Sequence, residues 1–126
     1  MFGEYADKGS LILKRIVTHA LDVLLGEEKM LKTNLGAQGI VTVMEQEGRF
    51  VNHILYAVPV RRGKDTEIIE DILPVYNTEV ELRLPKEIKK VYLAPQMKEI
   101  PFEKVGNAVK FKVDEFECHQ MVVLDY

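Results

Sequence analysis

Along "SLILKRIVTHALDVLLG" apolar residues recur at Leu13, Ile16, Val17, Ala20, Leu21 and Leu24, the spacing of one face of an α-helix. Ser10 is placed to cap its start and Gly26 to end it. Ile12, Val23 and Leu25 are apolar outside that stripe, leaving Lys14, Arg15, Thr18 and Asp22 as a narrow polar face. Such a helix asks for cover on more than one side. In an isolated chain the stripe predicts self-association, most simply a two-fold dimer in which each helix covers the other.

Beyond the linker "EEKMLKTNLGAQ" the period changes to two. "GIVTVMEQEGRFVNHILYAV" predicts a hairpin around "EQEG", with Gly48 available for positive φ. "TEVELRLP" sets Thr78, Val80, Leu82 and Leu84 against Glu79, Glu81 and Arg83, and "NAVKFKVD" sets Val109, Phe111 and Val113 against Lys110 and Lys112. Each of these reads as a strand with one wet face. Shorter strands are expected in "KVYLAP", "KEIPF" and "CHQMVVLDY", with the five prolines at strand ends or sheet edges. About seven short strands without intervening helical patterns predict a mainly β chain: an antiparallel β-sandwich preceded by one amphipathic helix. The expected division is residues 1–30 for helix and linker and 31–126 for the sandwich.

With 126 residues, 47% of them hydrophobic and 29% charged, the chain has the composition of an ordinary folded domain. Its net charge of −3 gives no footprint for nucleic acid or anionic lipid. No apolar run approaches the roughly 20 residues that cross a bilayer, and "MFGEYADKGS" lacks the pattern of an export signal. With one cysteine and no internal disulfide, a cytoplasmic location is expected.

Candidate chemistry is sparse. Cys118 and His119 are adjacent, but in a strand neighbouring side chains point to opposite faces, so they cannot form a nucleophile and its base. Cys118 is expected to be a small core residue, and His119 a hydrogen-bonded histidine unless it finds a partner on another strand. His53 is read as satisfied within a central strand and His19 as packed in the helix. No spacing among the histidines and cysteine prearranges a metal site, so neither metal nor cofactor is expected. Asp65, Glu67, Glu70 and Asp71 in "DTEIIEDI" lack the geometry of a calcium loop and read as a solvated edge. Nothing local fixes two carboxyls across a sugar as glycoside hydrolysis requires. Arg61, Arg62 and Lys64 around Gly63 form an exposed connection rather than a phosphate loop. For sugar stacking, Tyr56, Tyr76 and Tyr92 are the candidates; half-buried strand aromatics are the competing reading.

The stretches "THALDVLLG", "LGAQGIVTVMEQEGRFVNHILYAVPVRRG", "EIIEDILPVYNTEVELRLP", "KKVYLAP" and "FECHQMVVLDY" resemble the C-terminal end of bacterial glycoside hydrolases of the β-galactosidase family 42 type and their barrel-containing relatives. In such enzymes a TIM barrel is followed by an α/β domain that mediates trimerisation and then by a small all-β domain. The resemblance implies that the opening helix corresponds to the last helix of the α/β domain and the rest to the terminal sandwich. The family's catalytic carboxylates lie on the barrel, so no catalytic residue is carried over. The resemblance implies an accessory sandwich whose partners are the barrel and α/β domains of a parent hydrolase. The alternatives are a carbohydrate-binding module, marked by a row of exposed aromatics, and a small independent enzyme, marked by carboxylates or histidines converging from separate strands.

Overall fold

The computed structural model describes residues 11–126. Chain contacts divide it into two compact units, one ending at Met30 and the other Leu31–Tyr126. In the first, α1 spans Leu11–Leu25 and passes into a 3₁₀ turn, Gly26–Glu28. Gly26 takes φ 49°, the left-handed conformation that ends helices at low steric cost. The proposed cap, Ser10, lies outside the described residues. No residue of α1 is buried: Ile16 and Leu21 are each 51% exposed and Leu24 is 80% exposed.

The second unit is the sandwich that the alternation predicts. Its strands are β1 (Leu31–Thr33), β2 (Gly39–Gln46), β3 (Arg49–Tyr56), β4 (Val60–Arg61), β5 (Glu67–Ile68), β6 (Pro74–Arg83), β7 (Lys90–Ala94), β8 (Lys98–Glu99), β9 (Phe102–Val105), β10 (Ala108–Glu117) and β11 (His119–Asp125). One sheet has the order β1-β6-β10-β9 and the other β2-β3-β11-β7-β8, while β4 and β5 form a separate ribbon. Every pairing is antiparallel. The count exceeds seven because edge pieces of two or three residues are too short to carry a period.

β2 and β3 form the expected hairpin, turning through Glu47 and Gly48, whose φ is 80°. The inward residues of both sheets close one core around Ile54, Val80, Leu82, Val113, Val122 and Leu124. Three polar side chains are buried with them: Asn52, Thr78 and Gln120. Gln120 Nε2 donates to the carbonyls of Ala94 and Met121, at 3.0 and 2.9 Å, which offsets the cost of removing its amide from water.

The alternation of the four-stranded sheet breaks at Asn77, whose φ is 53°. On one side Thr78, Val80 and Leu82 are buried opposite Val113, Phe111 and Val109. On the other the parity changes: Phe116 is buried, Glu115 is exposed, and Tyr76 turns outward at 58% exposure. A left-handed residue within a strand rotates the next side chain to the other face, and Asn tolerates that conformation better than most residues.

Candidate functional site

The parity change at Asn77 brings Tyr76 to the rim of a cleft at one end of the sandwich. The cleft has a volume of about 300 Å³ and includes Asn34, Gly36, Tyr56, Val75, Tyr76 and Thr78 in its lining. Asn34 fixes the approach of the β1–β2 loop: its Oδ1 accepts from the Glu79 amide at 2.8 Å and its Nδ2 donates to the Asn77 carbonyl at 3.0 Å. The loop then passes close to the Tyr56 ring at Gly36, where a Cβ would stand 3.5 Å from Cε2. The Glu115 carboxylate beside Tyr76 holds its phenol above the ordinary range, by charge and by accepting its hydrogen bond. A carboxylate against an exposed ring offers an acceptor to a hydroxyl-rich ligand and a flat face to an apolar one. Tyr92 lies elsewhere, on the outer side of β7, where it is 7% exposed with Lys90 Nζ 5.6 Å from its ring centre. The three tyrosines therefore do not form one row.

The histidines form a second constellation. His53 on β3 and His119 on β11 both face outward, and register places Met121 opposite His53 and His119 opposite Leu55. The diagonal brings His53 Nδ1 to 3.0 Å from His119 Nε2, with the rings 5.2 Å apart and inclined by 8°. His119 thus has its partner on another strand. Nothing in the sequence gives the register of β3 against β11, so the pairing was invisible there although both residues were singled out.

Cys118 corrects the expectation of a core thiol. It is exposed, its φ of 58° places it in the tight connection that carries the chain from one sheet to the other, and its carbonyl accepts from the Tyr56 amide at 2.8 Å. A thiol in a strand would have alternated into the core; in a corner it does not.

The charged motifs take their bland roles. Arg62 holds Glu70 through Nε at 2.9 Å and Nη2 at 2.6 Å, closing the β4–β5 ribbon, whose residues are exposed. On either side of Glu70, Ile68, Ile69, Ile72 and Leu73 are 40–59% exposed. Among the described residues no group of three or more His, Cys, Asp or Glu is gathered to hold a metal ion, and no helix is long and apolar enough to cross a membrane.

These features belong to a domain with much apolar surface in water and little convergent chemistry. The α-L-fucosidase isoenzyme 2 from Paenibacillus thiaminolyticus contains the same structure: the chain matches it at 55% identity with a TM-score of 0.92, over 99% of this chain. The chain is related to one domain of a glycoside hydrolase. It spans only 19% of the fucosidase chain. No protein-family model and no curated protein matches it. The match supports the glycoside hydrolase part of the resemblance, and it is to a fucosidase rather than to a β-galactosidase.

Proposed function

We propose that this chain is a non-catalytic accessory β-sandwich of a glycoside hydrolase, packing against and stabilising the catalytic region of an enzyme of the α-L-fucosidase type, within the wider barrel-containing architecture that includes the family 42 β-galactosidases. The observation that carries the reading is the match over 99% of this chain and 19% of a fucosidase. The apolar surface in water supports it, because a domain built to stand alone rarely leaves contiguous apolar patches exposed. By the same reasoning α1 is the last helix of a preceding α/β domain. In the isolated chain its stripe favours a two-fold dimer, which Leu24→Asp should weaken with little effect on the fold.

The test is a chimera. Replacing the matching segment of the Paenibacillus enzyme with this chain should preserve fucoside cleavage, and deleting that segment should lower the melting temperature. The chain alone should release no nitrophenol from aryl fucosides, galactosides or arabinosides. Turnover that follows the purified chain and vanishes on changing one Asp or Glu would overturn the proposal.

A second reading, carbohydrate binding, is favoured by the juxtaposition of Tyr56 and Tyr76 in one cleft of monosaccharide size. Titrating L-fucose and D-galactose while following tyrosine ring resonances should shift those of the cleft, and Tyr76→Ala should abolish the shifts without unfolding an exposed position. No shift at high sugar concentration would remove this reading.

A further inference from the structure

Register aligns the outward residues of the five-stranded sheet into rows. Ile40, Leu55 and His119 form one, Thr42, His53 and Met121 the next, and Met44, Val51 and Val123 a third. On β7 and β8 the third row continues through Tyr92 to Glu99, which Lys90 pairs at 2.7 Å, and on β3 and β11 charge returns in the fourth row with Arg49 and Asp125 in register. Ile40 and Met44 are 60% and 57% exposed. The outer face of an antiparallel sheet is normally the wet, polar one, and across β2, β3 and β11 three rows without a charged carboxylate, ammonium or guanidinium depart from that rule. A patch of this kind marks an interaction surface.

The His53–His119 pair adds a polar specification. In the neutral pair one ring N–H donates across the 3.0 Å gap, from either residue. Whichever residue donates, the two remaining ring nitrogens are one donor and one acceptor. That combination complements a peptide group or a carboxamide. The face therefore fits a protein surface that is apolar over most of its area and offers one amide at its edge.

Resting on the accessory-domain reading, we infer that the outer face of the five-stranded sheet, centred on Ile40, Met44 and the His53–His119 pair, is the face this domain docks onto the rest of its hydrolase chain. The occupant follows from the match: the fucosidase that contains this structure devotes 81% of its chain to other parts, the 19% matched here taken from the whole. The opposite outer face is a lattice of alternating charges and suits water.

Methionine oxidation by peroxide tests the face, since Met44 lies on it and Met97, 67% exposed in the β7–β8 turn, does not belong to it. The sulfoxide at each position would be followed by mass spectrometry in the isolated chain and in the chimera described above. Met44 should oxidise at least about tenfold more slowly in the chimera, because oxidation follows access to the thioether. His119→Phe in the chimera should restore part of the Met44 reactivity, and His119→Gln less. A folded, active chimera in which Met44 reacts as in the isolated chain would overturn the face and leave the accessory reading standing. A chimera that fails to fold beside a parent that folds would overturn the accessory reading and this inference with it. Protection of Met44 in the concentrated isolated chain, equal to that in the chimera and lost on dilution, would assign the face to a second copy instead.

Discussion

Across the four-stranded sheet, Lys32, Glu81, Lys110 and Glu103 stand in register as an outward row of alternating sign. Across the five-stranded sheet, the outward row nearest the corner at Cys118 is Ile40, Leu55 and His119. Inward, the sheets are alike: Val80 and Leu82 on one side and Ile54 and Leu124 on the other are each at most 1% exposed. The difference lies on the outer faces, where Val51 and Val123 of the five-stranded sheet are buried at 8% and 5% exposure while Ile40 and Met44 beside them stay exposed. It marks what each face meets next: water on one side, and in our proposal the rest of a hydrolase on the other. The strands themselves carry the distinction. β6 and β10 alternate apolar and charged residues, whereas "GIVTVM", "FVNHILYAV" and "HQMVVL" run apolar with few breaks, as strands covered on both faces do.

If the sheets are equal inside, truncating either should cost the same. Leu82→Ala and Leu124→Ala remove comparable side chains from opposite walls of one core, and each should destabilise by about 2–5 kcal/mol through lost transfer energy and a residual cavity. Urea denaturation of the two variants checks this. A loss below about 1 kcal/mol at either site, outside that range, would show that its sheet is not packed as the comparison holds.

Much of this was legible in the sequence where one face of an element is polar. The charges at Glu79, Glu81, Lys110 and Lys112 declared the outer face of the four-stranded sheet, and Gly48 declared the hairpin turn. The rest was hidden for identifiable reasons. Which side of β3 and β11 faces the core is ambiguous when both sides are apolar. The parity change at Asn77 depends on a single left-handed residue that no alternation announces. The His53–His119 contact needs a long-range register, and the cleft joins Tyr56 and Tyr76 from different sheets. Cys118 was misread because composition favours burial for cysteine while topology placed it in a corner.

A smaller effect should follow from disturbing the point where the four-stranded sheet changes parity. Asn77 has φ 53°, which a β-branched residue reaches only with strain. Asn77→Val should cost about 1–2 kcal/mol, while Asn77→Gly should stay close to the parent because glycine takes that conformation freely. Thermal melts of both variants separate the conformational cause from loss of the side chain. If Gly were as damaging as Val, the amide's own contacts would be responsible and the backbone account would fail.

The smallest effect should come from the charged row that distinguishes the wet face. Lys110 Nζ lies 3.6 Å from Glu79 Oε2, and Lys32 Nζ lies 3.6 Å from Glu81 Oε1, all on side chains between 29% and 51% exposed. Pairs so open to solvent gain little, so Lys110→Ala and Glu79→Gln should each change stability by about 0–1 kcal/mol, and less at high salt. Near this face, Glu87 accepts from Lys104 Nζ at 2.8 Å, and that hydrogen bond holds its carboxyl below the ordinary value of 4.5. A carboxyl lowered on folding adds stability above its ordinary value and loses it as pH falls through the lowered one. Lys104→Met should therefore lower stability slightly at neutral pH, leave it unchanged at pH values below the lowered one, and so flatten the acid limb of the stability profile. An effect of several kcal/mol from any of these substitutions would mean that the charges are buried against something, and the contrast between a wet face and a docking face would collapse.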